Sequence, residues 1–361
     1  MNDKIFKDIL VEIRRYLAPQ NIRVPNSGRE RDIDWYAEKN QKNKTIKISA
    51  QVSIGNLCVN LQKDCASVPT FLLCIVYWYR QIHPDINVEC HMKITGVEPL
   101  PMNEGVLHWR RSLFLLDEYS KCFSFFTYES ENHGKWDWPT KPTLNSPSNN
   151  RKFGVPTKKI NGRFTERAIE SQIKDRYVEF PLGSDVLFPH EIFPQFPVGL
   201  FKESVKGGNE WTVAKTSEVD LWGASRNGKV LHLFELKGTD NRKVGIISEA
   251  FYYARLLGYV RGEYSPSKDL VIDCDNKKDT KWDGFEAAKA ATKVIMWLIA
   301  PDDKYHPLVL SHGKSPIKMF NDALDLGHHN IEFRILPYIL NDEIGFNGWR
   351  FDEMLPAGKV T

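Results

Sequence analysis

The segment EVDLWGASRNGKVLHLFELKG, residues 218–238, decides the fold prediction because it has the pattern of two strands joined by a tight turn. Asn-Gly between two apolar runs is a strong hairpin signal, and a two-residue type I′ turn at Asn227-Gly228 requires positive φ at both positions. With that turn, opposed residues have numbers that sum to 455. Asp220 is then predicted to lie directly opposite Glu235.

The two opposed acids are the unusual feature of this hairpin. Directly opposed Cβ atoms of an antiparallel pair lie about 4.5–5.5 Å apart, so two carboxylates repel unless a positive charge lies between them. A divalent cation with oxygen ligands fits that place. Lys237 follows Glu235 by two residues and points to the same face, so two acids and one amine are expected to converge. Because the strand 230–236 is apolar on both faces, we expect it to be buried.

A plain ion pair is the alternative interpretation of these charges. In the same register Lys237 faces Glu218, and a cross-strand pair of this kind contributes at most about 1 kcal/mol. Asp220 would then be a solvated residue at the end of a strand. A one-residue bulge would also move Asp220 off the shared face.

The order of these three charged residues resembles a known protein-family motif. Asp220, followed after fourteen residues by Glu235-Leu236-Lys237, resembles the D-(x)n-(D/E)-x-K motif of the PD-(D/E)XK nuclease superfamily. That group includes restriction endonucleases, Holliday-junction resolvases and many repair and defence nucleases. The resemblance implies a restriction-endonuclease-like core, an α/β fold in which a mixed β-sheet is flanked by helices.

The resemblance covers about residues 160–300. Cores of this superfamily begin with a helix that often carries a glutamate, and the predicted helix 165–176 offers Glu166, with Glu170 as the alternative. Val219 stands where the superfamily's name has proline, a position that varies widely. The resemblance therefore extends from the motif to the element before it.

The resemblance also implies a chemistry, that of a Mg²⁺-dependent hydrolase in which Mn²⁺ can substitute. Asp220, Glu235 and the backbone carbonyl of Leu236 would hold the ion, which polarises the scissile phosphate and acidifies a bound water. Lys237 would orient that water or assist its deprotonation, and would stabilise negative charge nearby. Glu166 would hold a water of the metal or a second ion.

DNA is the expected substrate, as for a restriction or defence endonuclease. Arg242 and Lys243 follow the motif strand and are the candidate phosphate contacts, with a solvated loop as the alternative. An RNA-directed nuclease and a non-catalytic nucleic-acid-binding or assembly protein on a nuclease-like fold are the competing hypotheses. A homodimer is expected because cleavage of both strands usually requires two active sites.

Four prolines and the run SPSNN between residues 139 and 156 predict a linker or a long exposed loop. We therefore expect a separate N-terminal α+β domain over 1–155, with a role in substrate recognition, and the nuclease-like domain over 160–361. Residues 284–300 are ambiguous between one helix and a helix followed by a strand. Helices are otherwise predicted from the N-terminus to about Pro19, over 68–82, 248–257 and 316–326, and strands over 45–62, 269–273 and 331–338. For the helix 248–257, Ser248 is the predicted cap and Gly258 lies just past the predicted end.

Composition is that of a globular protein. Hydrophobic residues make up 42% and charged residues 26% of the 361 positions, which excludes collagen, coiled coil and wholesale disorder. No apolar run approaches the ~20 residues of a membrane span, and the N-terminus lacks a secretory pattern, so a soluble cytoplasmic protein without membrane partners is expected. Residues 1–160 hold 23 Lys and Arg against 17 Asp and Glu, which suits a nucleic-acid partner and equally an ordinary surface.

Overall fold

The protein is a mixed α/β protein whose structure was obtained as a computed structural model. The structure describes residues 4–18, 22, 33–59, 66–97, 104–131, 136–145, 166, 170, 180–182, 185–187, 192–205, 211–213, 218–225, 227–238, 244–261, 271–273, 290–301, 314–325 and 331–338. Among these residues, no helix is both long and apolar enough to cross a lipid bilayer.

The chain forms two compact units. The first comprises Met1–Trp138, Lys243–Tyr252 and Lys304–Met319, and the second comprises Pro139–Arg242, Tyr253–Asp303 and Phe320–Thr361. The predicted division into a substrate-recognition domain over 1–155 and a nuclease-like domain over 160–361 stays a prediction.

The first unit is built on a four-stranded sheet with helices before and between its strands. These elements are α1 (Lys4–Leu17), β1 (Ile33–Asn40), β2 (Thr45–Ser53), α2 (Ile54–Leu57), α3 (Val68–Ile82), β3 (Asn87–Thr95), α4 (Glu104–Cys122) and β4 (Phe126–Ser130). Strands β1 and β2 are antiparallel, and β2, β3 and β4 are parallel to one another.

Buried and more exposed side chains alternate along the strands, which explains why helices cover one face of this sheet. In β3, the buried side chains are Val88, Cys90, Met92 and Ile94, whereas the residues between them are more exposed. Helix α3 contacts this strand and is buried over 68–79, so it is the centre of the core of the first unit. The predicted helix 68–82 and the N-terminal helix are confirmed.

In the described part of the rest of the chain, the elements with defined bounds form three sheets and two helices. They are β5 (Pro142–Asn145), β6 (Phe180–Leu182), β7 (Asp185–Leu187), β8 (Ile192–Pro197), β9 (Leu200–Lys202), β10 (Thr212–Val213), β11 (Glu218–Ala224), β12 (Val230–Leu236), α5 (Gly245–Val260), β13 (Val271–Asp273), β14 (Lys293–Pro301), α6 (Ile317–Asp325) and β15 (Ile331–Tyr338). The sheets have the orders β15-β14-β12-β11-β8, β10-β9-β5-β13 and β6-β7.

The five-stranded sheet places the motif strand at its centre. Strands β8, β11 and β12 are antiparallel neighbours, and β14 and β15 continue the sheet parallel to β12. Every residue of β12 is buried, as predicted, because this strand has neighbours on both sides and apolar side chains on both faces. Strand β14 resolves the ambiguity at 284–300 in favour of a terminal strand, which agrees with its β-branched and apolar sequence.

Two predicted details of the chain are wrong. Helix α5 begins at Gly245 and ends at Val260, so Ser248 and Gly258, predicted as its cap and its stop, lie inside it. The Ser248 hydroxyl lies 2.6 Å from Thr70 Oγ1 in the core of the first unit, where packing overrides the local signals. Within the predicted linker, Pro142–Asn145 form β5 between β9 and β13; proline is tolerated there as the first residue of the strand.

Candidate nuclease site

The hairpin β11–β12 has the predicted register. Leu221 lies opposite Phe234 and Trp222 opposite Leu233, so paired numbers sum to 455 and no bulge interrupts the registered pairs. The registered pairs end at Leu221–Phe234, and the same register, continued by one residue, would place Asp220 opposite Glu235.

The turn of the hairpin differs from the prediction, although the register is the same. Among its described residues only Gly228 has positive φ, +68°. The backbone N–H of Gly228 donates to the carbonyl of Ser225, and the Asn227 side-chain oxygen accepts from the Ser225 hydroxyl and from the Lys229 amide. Side-chain hydrogen bonds of this kind stabilise a longer turn that keeps the same paired residues.

Asp220 is held by the strand that carries the other motif residues. Its Oδ2 accepts a hydrogen bond of 2.7 Å from the backbone N–H of Leu236. The Asp220 carboxylate therefore lies next to the backbone that joins Glu235 to Lys237, and it is half-buried there.

Glu235 and Lys237 form a buried ion pair. Lys237 Nζ lies 2.6 Å from Glu235 Oε1, and the two side chains are 1% and 3% exposed respectively. Glu166, in a helical turn of the chain, places its Oε1 4.0 Å from the same ammonium group. The backbone N–H of Lys237 donates to the Ile299 carbonyl of β14, which fixes the end of the motif strand.

The electrostatics of this cluster are dominated by burial and by a surplus of acids. The pKa of Asp220 is raised to about 8, chiefly by burial and also by the negative charges of Glu166 and Glu170. The Lys237 ammonium and the hydrogen bond from the Leu236 amide act in the opposite direction. Burial and the two nearby glutamates therefore outweigh the single ammonium and the amide hydrogen bond, so the protonated form of Asp220 is favoured.

The chemistry of these groups fits a hard divalent cation. Carboxylate and carbonyl oxygens are the ligands that Mg²⁺ prefers, and Mg²⁺ keeps several waters beside one or two carboxylates. Asp220, Glu235 and the carbonyl of Leu236 supply such a set, and the excess negative charge is what a divalent ion offsets. Among the described residues, no group of three or more His, Cys, Asp and Glu side chains is arranged to hold a metal, so water would complete the ligand set.

The structure brings four predicted site residues together: Asp220, Glu235, Lys237 and Glu166. Glu170, the predicted alternative to Glu166, acts on Asp220 as well, so both glutamates belong to the cluster. Arg242 and Lys243, the predicted phosphate contacts, lie outside the described residues.

Sequence reasoning missed Arg255, a charged residue buried in helix α5. It is 6% exposed, and its guanidinium lies 5.9 Å from the centre of the Tyr259 ring. An arginine in a helix whose side chains are mostly apolar was the signal, since arginine is mostly exposed in proteins.

Comparison with family models, with curated proteins and with solved structures finds no match to this chain. The case for a function therefore depends on the geometry of the cluster and on the motif.

Proposed function

We propose that the protein is a Mg²⁺-dependent nuclease that hydrolyses phosphodiester bonds of DNA, in the manner of a restriction or defence endonuclease. The observation that carries this proposal is the buried cluster in which Asp220, Glu235 and Lys237 meet at one end of a hairpin. Acids and an amine that are buried together at a stability cost are typical of functional sites.

The arrangement of the five-stranded sheet supports a restriction-endonuclease-like core. Three antiparallel strands, β8, β11 and β12, are followed by helix α5 and by β14, which lies parallel to β12. The superfamily core, as the resemblance describes it, also has a helix, three strands, a helix and another strand. Helical backbone at Glu166 stands before these strands in the chain, where the first helix of such a core is expected.

Each residue of the cluster has a distinct part in the proposed reaction. Asp220, Glu235 and the Leu236 carbonyl would hold the cation, which supplies Lewis-acid activation of the phosphate and of a water. The Lys237 ammonium donates hydrogen bonds to the attacking water and stabilises the negative charge that develops on the phosphate oxygens. Glu166, close to Lys237, holds a second water in the same pocket and keeps the ammonium protonated.

The bonds and protons of the reaction balance with water as the only co-substrate. The water oxygen forms a bond to phosphorus, and the bond from phosphorus to the 3′ oxygen breaks. One proton of the water is transferred to the leaving 3′ oxygen through solvent or the carboxyl groups of the cluster. The products are a 5′-phosphate and a 3′-hydroxyl group.

A plasmid-cleavage assay tests the proposal. We expect the wild-type chain to cleave DNA with Mg²⁺ and not with EDTA, and Asp220→Asn and Lys237→Met to lose at least about 10³-fold in rate, as for loss of a charge-stabilising group. Lys229→Met is the matched control, because Lys229 is exposed at the turn of the same hairpin and is expected to keep full activity. Wild-type rates in both site variants would remove these residues from the reaction.

A non-catalytic nucleic-acid-binding protein is the second candidate function. The close Lys237–Glu235 pair favours it, because an ammonium at 2.6 Å neutralises one of the two acids that would hold the cation. This candidate predicts DNA or RNA binding by the wild type with no cleavage under any divalent ion. Labelled single-stranded and duplex RNA in the same assay distinguish an RNA-directed nuclease from a DNA-directed one.

A further inference from the structure

The sheet of the first unit repeats the order of the sheet that carries the cluster. An antiparallel hairpin, β1–β2, is followed by the one-turn helix α2, helix α3, the parallel strand β3, helix α4 and the parallel strand β4. In the other sheet the hairpin β11–β12 is followed by α5, β14, α6 and β15 in the same directions, and β13, a short strand of another sheet, lies between α5 and β14 in the chain.

The two sheets also match in the order of their strands in space. The four-stranded sheet runs β1-β2-β3-β4, and the five-stranded sheet runs β11-β12-β14-β15 with β8 added beside β11. Helical crossovers between parallel strands are right-handed in about 98% of cases, so equal strand orders give equal arrangements of the strand ends. The end of β2 in one sheet therefore corresponds to the end of β12 in the other.

At the corresponding position of the first sheet, an acidic residue also lies opposite a long polar residue. The register of β1 and β2 pairs Asp34 with Gln51, and both residues are half-buried. The register of the other hairpin, extended by one step, pairs Asp220 with Glu235. In each hairpin the aspartate lies near the start of the first strand and its partner near the end of the second.

The chemical difference between the two positions is in the second strand. Gln51 has the shape of a glutamate without its charge, and Ser53, two residues later, stands where the other hairpin has Lys237. An amide oxygen opposite a single carboxylate is a weaker ligand set for a divalent cation than two carboxylates. A serine hydroxyl also cannot supply the positive charge of an ammonium.

From this correspondence, and resting on the proposed nuclease function, we infer that Asp34–Gln51 is the inactive counterpart of the Asp220–Glu235 site. Each chain then holds two topologically equivalent cores and one cation-binding centre. A single chain would accordingly hydrolyse one strand of a duplex in each binding event and leave a nick. Two chains would be needed to cut both strands together.

Binding of Mn²⁺ to the full-length chain, followed by the electron paramagnetic resonance signal of the free ion, tests the inference. The measurements are made on a chain that carries Asp220→Asn and Glu235→Gln, because these substitutions remove the two carboxylates of the proposed cation site. In that chain we expect no bound Mn²⁺ with Gln51 intact. Adding Gln51→Glu is expected to create one site per chain, and Asp34→Asn is expected to abolish it.

A matched control places the same new charge elsewhere on the strand. Thr45→Glu adds a carboxylate to β2 opposite Asn40 instead of Asp34, so we expect Mn²⁺ affinity at least ~10-fold weaker than with Gln51→Glu. Circular dichroism establishes that each variant is folded. A folded Gln51→Glu chain that gains no site overturns the inference, as does an ion that binds with Gln51 intact and is lost in Asp34→Asn.

The number of strands cut supplies the second measurement. With the chain monomeric by sedimentation velocity, supercoiled plasmid should be converted first to open circles, and direct conversion to linear DNA by the monomer would contradict a single centre. If the wild-type chain neither cleaves nor binds Mn²⁺, the proposed function fails. The gain of a site by Gln51→Glu still decides the correspondence of the two cores in that case.

Discussion

Two lysine ion pairs, one beside each sheet, differ in how deeply they are buried. Lys237, beside β12, pairs with Glu235 at 2.6 Å, and both side chains are almost fully buried. Lys93, on β3, pairs with Glu131 at 3.2 Å, with the two side chains 34% and 47% exposed. An exposed pair is screened by water and contributes little, whereas a buried pair must offset the loss of hydration of both ions. At the end of β12 the five-stranded sheet therefore keeps a charge pair where it is costly, which is the pattern of a functional site.

Removal of one partner of the buried pair should have the largest effect on stability. We expect Lys237→Met to lower the free energy of unfolding by about 3–5 kcal/mol at pH 8, because it leaves the Glu235 carboxylate buried without its ammonium. Urea denaturation of the full chain measures this effect. The double variant Lys237→Met with Glu235→Gln should recover most of the loss, since the buried charge is then gone. A double variant as unstable as the single one would show that packing, rather than charge, accounts for the loss.

The free energy of unfolding should depend on pH in a way that reports the protonation of the Asp220 carboxyl. Its folded-state pKa of about 8 lies above the ordinary value of 3.8, so the folded chain binds more protons than the unfolded chain between these two values. The stability that this group contributes is therefore present below about pH 4 and is lost as pH rises through 8. In EDTA we expect the free energy of unfolding to fall between pH 5 and 9 by about 4 kcal/mol more in wild type than in Asp220→Asn.

Magnesium should weaken this dependence, because a bound cation favours the ionised carboxylate. Thermal or urea unfolding at several pH values, with Mg²⁺ and with EDTA, measures both effects. Equal slopes for wild type and Asp220→Asn in EDTA would show that Asp220 is ionised throughout this range.

The smallest effect is expected for the exposed pair of the first sheet. Lys93→Met should change the free energy of unfolding by less than about 1 kcal/mol, and Mg²⁺-dependent cleavage should be unchanged. Urea denaturation and the plasmid assay check these two results. A loss comparable with that of Lys237→Met would remove the contrast between the two sheets.

The hairpin could be predicted from the sequence because its determinants are local. The register depends on which residues of two adjacent strands face each other, and the pair Trp222–Leu233 is as predicted although the turn is not. The predicted type I′ turn was wrong because the Ser225 and Asn227 side chains form hydrogen bonds that the preference of Asn-Gly for this turn does not take into account. The convergence of Lys237 with Glu235 follows from the two-residue period of a strand.

Other features depend on contacts between distant parts of the chain and could not be predicted. The parallel pairing of β12 with β14 joins segments that are more than sixty residues apart. The Ser248 hydroxyl was predicted as a helix cap, but the core of the first unit places it against Thr70. The two sheets share a strand order without a recognisable repeat in the sequence. A topology constrains where apolar residues lie along the chain but not which apolar residues they are.

Anomalous scattering from a crystal of the full chain soaked in Mn²⁺ tests the contrast between the two sheets most directly. The prediction is one ion bound by carboxylate oxygens of Asp220 and Glu235, and none between Asp34 and Gln51. An ion at Asp34, or a fully occupied Mn²⁺ peak elsewhere with none at Asp220, would contradict the account.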